Sequence, residues 1–177
     1  MLEKSLATFF DELAAKTSAP GGGAASAVVV AIAAGLAGMV ARFSEKQLGA
    51  EAEQLARRAD HLRDEAAPLA QEDAEAYASY LEAVRRPHDD PGREAALAEA
   101  TDRSADVPLR IAETGAGVVA LADDLGERGN RTLSGDAFAA RELARAAART
   151  AANLVVVNLG NRDDDERVRR SRELARL

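Results

Sequence analysis

Cysteine and tryptophan are absent from this chain of 177 residues, and histidine occurs only at positions 61 and 88. The absence of cysteine excludes disulfide bonds, a thiolate nucleophile and zinc–thiolate sites, and two isolated histidines lack the spacing of a histidine-based metal centre. We therefore expect no bound metal. A cysteine-free chain also fits the cytoplasm, and segment 1–16 lacks the charged start, apolar core and cleavage site of an export signal.

Aromatic residues and net positive charge are also scarce. Aromatic residues make up 3% of the chain, and the formal net charge is −7. Proteins that bind nucleic acid need a basic surface for the phosphates and commonly stack bases on aromatic rings. Nucleic acid is therefore not an expected partner.

The alternation of apolar and polar residues that is typical of half-buried strands is missing, whereas every long segment has helical periodicity. The sequence predicts an all-α, elongated up-and-down helical bundle of about five to six helices, in a single domain spanning residues 1–177. The predicted helices are 2–16, 24–43, 48–86, 93–126, 136–159 and a short one from about 163 onward. The side of the first helix expected to be buried is formed by Leu2, Leu6, Phe9, Phe10 and Leu13.

One long apolar run, 24–41, consists mainly of Ala, Gly and Val. It nearly reaches the roughly 20 residues that span a bilayer, but no aromatic belt flanks it and the rest of the chain is heavily charged. We therefore expect no membrane association. A helix that is apolar on all sides belongs in a core or at a subunit interface. Because one small bundle would struggle to surround it, we predict a homodimer.

A glycine turn, Pro20-Gly21-Gly22-Gly23, precedes this apolar run. Glycine lets the backbone approach a ligand closely, and the unpaired N–H groups at a helix start attract negative charge. The turn is compatible with binding of an anion or a carbonyl group. It is equally compatible with a tight corner between two helices, in which the glycines serve packing only.

Two carboxylates, Asp73 and Asp136, are candidate catalytic residues. Asp73 lies in line with Leu69 and Tyr80 on the apolar stripe of the third predicted helix, where a charge needs compensation. The alternative interpretation of Asp73 is an ion pair with an inward arginine such as Arg149, or a polar spacer at the edge of the stripe. Asp136 stands at a predicted helix start, where it could equally complement the first turn.

Three further polar residues are candidates for ligand binding. Asn158 falls on the apolar side of the fifth helix, where it binds either a ligand or the backbone of a neighbouring helix. Arg42 and Lys46, at and after the end of the second helix, could meet an anionic ligand or simply favour solubility. The arginines of the terminal helix follow the helix dipole, so that charged run is interpreted as a solvated face.

The order of these segments resembles the cyclodeaminase/cyclohydrolase family, whose members act on one-carbon derivatives of tetrahydrofolate. The resemblance covers nearly the whole chain. It rests on Pro20-Gly21-Gly22-Gly23-Ala24-Ala25-Ser26, on Met39-Val40-Ala41-Arg42-Phe43-Ser44, on Glu72-Asp73-Ala74-Glu75-Ala76-Tyr77, on Val107-Pro108-Leu109, on Gly129-Asn130, on Asp136 with Ala140, and on Asn158-Leu159.

The resemblance implies a dimeric helical bundle that binds folate in a cleft near the glycine turn and the subunit contact. A buried carboxylate suits this chemistry, since methenyltetrahydrofolate is an amidinium cation and a formimino group must be protonated to lose ammonia. The resemblance gives Asp73 that role. It implies that Asp136 orients water or binds the pterin edge.

For the remaining positions the resemblance implies ligand binding. The glycine turn, with Arg42 or Lys46, would face the glutamate tail of the folate, and Asn130 and Asn158 would also contact the ligand. No cofactor is expected beyond the tetrahydrofolate substrate. Cyclohydrolase activity is favoured over deamination, because the chain carries no formiminotransferase segment. The alternative is a non-catalytic helical dimer that binds a folate-like ligand or a protein partner.

Overall fold

The computed structural model describes residues 3–160 and 162–177, which contain seven α-helices, one 3-10 turn and no strand. The prediction of an all-α bundle is confirmed. The helices are α1 (Leu6–Ala14), α2 (Gly22–Arg42), α3 (Glu45–Leu48), α4 (Ala50–Arg85), α5 (Arg93–Arg128), α6 (Ser134–Asn158) and α7 (Glu166–Leu174).

Four long helices form the body of the bundle. Helix α2 packs against α4 and α6, α5 closes the ring by packing on both of these, and α2 also touches α5. Helices α4 and α5 have 36 residues each, which corresponds to about 54 Å of helix and makes the bundle elongated. Alanine dominates the core, so the helix axes approach closely. At the α5–α6 contact, a Cβ on Gly115 would lie 2.9 Å from the Cβ of Ala148.

The predicted helix boundaries agree with the structure within a few residues. The exception is a helix break that the periodicity did not predict. The predicted helix 48–86 begins in the structure with the short α3, and Gly49 separates it from α4. Gly49 has φ 56°, a left-handed conformation that only glycine adopts without strain.

The prediction of which side of the first helix is buried is wrong. Only Phe9 of this set is buried, whereas Leu6 and Phe10 are 61% and 60% exposed and Leu13 is also exposed. Leu2 lies outside the described residues. Helix α1 is amphipathic, as its sequence pattern predicts, but most of its apolar side contacts no other helix of the chain.

The short helix α7 corrects the interpretation of the terminal arginines as a purely solvated face. Arg167 forms ion pairs with Asp102 and Asp106 of α5 and with Asp165 at the start of its own helix. Val168 and Leu174 are buried beneath it. Arg167 therefore links α7 to two carboxylates of α5, while Val168 and Leu174 pack α7 onto the bundle.

Helix α2 is long and apolar enough to cross a membrane by length and composition alone. Within the bundle, 56% of that apolar stretch is buried, as in the core helix of a globular protein. Its residues that point between α4, α5 and α6, such as Ala27, Val30 and Ala34, are completely buried. The opposite side of α2 is not covered by the protomer, since Ile32 is 48% exposed.

The far end of α2 is joined to the segment before α6 by a buried serine. The Oγ of Ser44 donates to Val40 O over 2.7 Å and accepts from the backbone N–H of Asn130 over 2.9 Å. The side chain of Asn130 donates to Phe43 O and accepts from Thr132 N. These bonds fix the segment that leads into Asp136.

We expect Ser44→Ala to lower the free energy of unfolding by about 1–3 kcal/mol, because it leaves the partly buried N–H of Asn130 without an acceptor. Ser79→Ala is the matched control, since the Oγ of Ser79 also donates to the carbonyl four residues earlier but binds no second group. The control should change stability by less than about 0.5 kcal/mol. Equal effects in urea denaturation would contradict the role assigned to Ser44.

Candidate functional site

A cavity of about 230 Å³ opens at the start of α2, where the glycine turn meets α4, α5 and α6. The turn contributes Gly21, Gly22 and Gly23. The helices contribute Asp73 and Tyr77 from α4, Ser104 from α5, and Leu154 and Asn158 from α6. The structure thus brings together three of the sequence-predicted elements: the glycine turn, Asp73 and Asn158.

The glycine turn allows the first turn of α2 to lie directly against Asp73. Gly21 is the N-cap residue, with no side-chain cap, and the Ala19–Pro20 peptide bond before it is cis. A Cβ on Gly23 would lie 2.0 Å from Oδ1 and 2.4 Å from Cγ of Asp73. Such distances are impossible for non-bonded atoms, so any side chain at position 23 requires the carboxylate to move. Pro20 lies in the turn but does not line the cavity.

The environment of Asp73 raises the pKa of its carboxyl group above the usual value. Burial is the main cause, because it disfavours the charged form, and a hydrogen bond from the backbone N–H of Ala24 partly opposes it. Within the described part of the chain, no cation pairs with Asp73. The alternative ion pair with Arg149 is wrong, since Arg149 is exposed to solvent.

Unlike Asp73, the neighbouring acids on α4 form ion pairs with arginines. Glu72 forms an ion pair with Arg110, and Glu75 forms one with Arg103. Both pairs lie at the surface, where solvent screens them. Asp73 is therefore the carboxylate of this segment that can supply charge to a ligand.

Asn158 is held in one orientation by α5. Its Nδ2 donates to the backbone carbonyl of Ser104 over 2.6 Å. This bond uses one of the two N–H donors of the amide and leaves the second N–H and Oδ1 for other partners. The interpretation that Asn158 binds a neighbouring backbone is confirmed. Asn158 also lines the cavity, and its ligand role stays a prediction.

Ser104 is a cavity residue that the sequence analysis did not select. It is 8% exposed, and its Oγ lies 3.5 Å from the carbonyl of Ala76, which is a long and weak contact. The available signal was a serine among the apolar residues of α5. That signal is weak because helical serines commonly bond to their own helix.

The other predicted residues lie at the opposite end of α2. Arg42 ends the helix in an ion pair with Asp60, and Lys46 follows in α3. Asn130 is engaged by Phe43 O and Thr132 N, and Asp136 lies half-buried in the first turn of α6. The 21 residues of α2 separate the two ends by about 30 Å. Within one protomer Asp136 therefore does not meet Asp73, and the ligand roles of these four residues stay predictions.

Comparison with known proteins identifies the family of the chain. The model of the family described as formiminotransferase-cyclodeaminase matches residues 5–176. The chain belongs to this family of helical domains. The resemblance inferred from the sequence is confirmed.

Individual relatives carry two activities in their names. Methenyltetrahydrofolate cyclohydrolase of Methylorubrum extorquens is 32% identical over 91% of this chain and 82% of its own length. Formimidoyltransferase-cyclodeaminase of Mus musculus is 30% identical over 93% of this chain, which spans 32% of that longer protein. The crystal structure of formiminotetrahydrofolate cyclodeaminase from Thermotoga maritima superposes with a TM-score of 0.85 and 28% identity, covering 99% of this chain and 88% of the other.

We expect Gly23→Ala to destabilise the protein, because the added Cβ must displace the carboxylate of Asp73 from the start of α2. The control is Gly126→Ala, in α5, where the nearest atom to the added Cβ is Ala137 Cβ at 3.9 Å. The control should gain up to about 1 kcal/mol from helix propensity. If Gly23→Ala gained as much, the packing of Asp73 on Gly23 would not constrain the site.

Asp73→Asn should raise the free energy of unfolding at pH 7 by about 1 kcal/mol or less, after allowing for solvent screening of a partly exposed group. The reason is linkage: the raised pKa means that the folded protein keeps this proton to higher pH than the unfolded chain, so ionisation opposes folding. The difference should shrink as the pH falls towards about 4. Asp64→Asn, on the exposed side of the same helix, should show no such gain.

Proposed function

We propose that this protein is a folate one-carbon enzyme that hydrolyses methenyltetrahydrofolate at the cavity beside the glycine turn. The single observation that carries the proposal is Asp73, a half-buried carboxylate without a cationic partner in the described part of the chain, which lines a cavity at a helix start. The cyclohydrolase relative, aligned over most of both chains, supports the choice of reaction.

The polar groups of the cavity suit a cation. The carboxylate of Asp73 and the Oδ1 of Asn158 are acceptors, and Tyr77 and Leu154 provide apolar surface for a flat ring. Methenyltetrahydrofolate carries a delocalised amidinium cation, which an unpaired carboxylate in a poorly solvated site stabilises electrostatically. The cavity is smaller than the roughly 300–1,000 Å³ typical of ligand pockets, so it holds the reacting end of a folate and leaves the tail outside.

In the proposed reaction, water adds to the carbon between the two nitrogens of the amidinium. Asp73 accepts the proton that water loses on addition and returns it to the nitrogen whose bond to this carbon breaks. The hydroxyl proton of the adduct departs to solvent, which leaves a formyl group on the other nitrogen. The substrate is one cation and one water, and the products are one formyl-folate and one proton. No cofactor is required.

A second candidate is deamination of formimidoyl-tetrahydrofolate, which the names of the mammalian relatives and of the Thermotoga maritima structure favour. Here the exocyclic aniline nitrogen of the folate attacks the carbon of the formimino group on the ring nitrogen, ammonia leaves with one proton taken up overall, and the same amidinium cation is the product. Asp73 would then deliver the proton that ammonia needs in order to leave. The two reactions share the cation, so the same carboxylate serves both.

The test follows the methenyl chromophore of methenyltetrahydrofolate, after subtraction of the spontaneous rate. Wild-type protein should accelerate its loss, and Asp73→Asn should reduce kcat by about 10²-fold or more, the range for removal of a general acid–base group. Asp64→Asn serves as the control and should retain full activity. If wild type accelerated neither this reaction nor ammonia release from formimidoyl-tetrahydrofolate while still binding a folate, the non-catalytic alternative would replace the proposal.

The activity should depend on pH through Asp73. Below its raised pKa the carboxyl is protonated, and it can neither stabilise the cation nor accept a proton. The enzymatic rate should therefore rise with pH through a value above the ordinary aspartate range of about 3.9. This rise should be absent from the residual rate of Asp73→Asn.

A further inference from the structure

The fold leaves most of the hydrogen-bonding capacity of the Ser104 hydroxyl unused. The side chain is 8% exposed, so the bundle shields it from bulk solvent, yet it lines the cavity together with Asp73. Among residues 3–160 and 162–177, its one hydrogen-bond partner is the carbonyl of Ala76, 3.5 Å from Oγ. Hydroxyl hydrogen bonds are normally about 2.5–3.0 Å long, and buried hydroxyls normally have such a partner.

Other hydroxyls in or next to the helices of this chain behave differently. Five of them donate to the backbone carbonyl four residues earlier, over 2.7–3.0 Å: Ser26, Ser44, Ser79, Thr114 and Thr150. Such a bond satisfies the hydroxyl within its own helix. The hydroxyl of Ser104 is instead directed from α5 towards α4. Local bonding within α5 therefore does not account for its position.

The contact with Ala76 determines which side of the hydroxyl faces the cavity. The O–H of Ser104 has the Ala76 carbonyl as its acceptor, so the lone pairs of Oγ are left for a donor in the cavity. The carboxylate of Asp73, three residues before Ala76 on α4, is another acceptor at the same cavity. Residues three apart lie on one side of a helix, with Cβ atoms about 5–6 Å apart. A molecule with two O–H donors, water, matches this pair of acceptors.

We propose that Ser104 and Asp73 together hold the water molecule that attacks the amidinium carbon of methenyltetrahydrofolate. This inference rests on the proposed function. The water donates one O–H to Oγ of Ser104 and the other to the Asp73 carboxylate, which leaves a lone pair of its oxygen for the carbon. As the C–O bond forms, the electron pair of the C=N π bond moves to nitrogen and the proton facing Asp73 passes to the carboxylate. Ser104 keeps its own proton throughout.

A second acceptor matters because one hydrogen bond does not fix the direction of a water molecule. A water bound by Asp73 alone can rotate about that bond, whereas two bonds hold its lone pair towards the carbon and lower the entropic cost of attack. The backbone at Ser104 is itself anchored, because its carbonyl accepts Nδ2 of Asn158 over 2.6 Å. The cavity of about 230 Å³ has room for the water, which needs about 30 Å³, beside the reacting end of a folate.

Ser104→Ala removes the hydroxyl and leaves the rest of the site in place. The backbone carbonyl that holds Asn158 is unchanged, and the contact that is lost is long. The variant should therefore unfold within about 2–4 °C of the wild-type temperature. Its kcat for methenyltetrahydrofolate should fall about 10- to 100-fold with KM nearly unchanged, because the hydroxyl acts on the attacking water and not on folate binding. Ser79→Ala is the control and should keep both parameters.

Two further readouts separate this role from structural support of Asp73. The rise of the rate with pH should keep its wild-type midpoint in Ser104→Ala, because the carboxyl group that titrates is untouched. Displacement of Asp73 would shift that midpoint. Any release of ammonia from formimidoyl-tetrahydrofolate by wild type should persist in Ser104→Ala, because no water adds in that reaction. Loss of both reactions together would contradict the role assigned to the hydroxyl.

A crystal structure of the wild-type protein tests the water without reference to turnover. An ordered water should lie within about 2.6–3.0 Å of both Oγ of Ser104 and a carboxylate oxygen of Asp73. The structure of Ser104→Ala should lack a water at this position, whereas Ser79→Ala should retain it.

Three results would overturn the inference. They are a water bound by Asp73 alone, an unchanged kcat in Ser104→Ala, and a raised KM with unchanged kcat, which would assign the hydroxyl to binding of the folate itself. Failure of the proposed function is a separate result. A wild type that holds the bridging water but hydrolyses no methenyltetrahydrofolate would contradict the proposed function and leave the water site standing.

Discussion

The packing of the Asp73 carboxylate against the backbone of Gly23 is the contact on which the candidate site depends. It brings an acid of α4 to the N–H groups that begin α2, and only a glycine leaves room for it. The helix start partly compensates the buried charge through Ala24, while burial keeps the pKa raised. The protein therefore holds a carboxylate whose pKa lies above the ordinary aspartate value, which is the direction that favours proton transfer by a carboxyl group.

This contact also changes the role assigned to the glycine turn. The sequence pattern suggested a cradle for an anionic ligand, such as a glutamate tail. In the structure, the anion nearest to the helix start is Asp73 itself. The turn thus positions an acid at the cavity, where the sequence pattern had suggested a bound anion.

The long helices could be predicted from the sequence because their periodicity is a local property of the chain. Asp73 could be predicted as a special residue for the same reason, since it interrupts an apolar stripe. The neighbours of Asp73 could not be predicted from the sequence, because Gly23 and Ala24 belong to another helix, which contacts Asp73 only in the folded bundle. Arg167 illustrates the same limit: the arginine-rich pattern was visible, but Asp102 and Asp106, which hold it, lie on α5.

The most informative disagreement concerns α1 and α2, whose apolar residues outnumber the positions that one bundle can bury. The pattern of a helix indicates that one face is apolar, but it does not indicate what packs against that face. Leu6, Phe10, Ile32 and Phe43 are all exposed in the protomer, although each follows an apolar helix pattern or adjoins one.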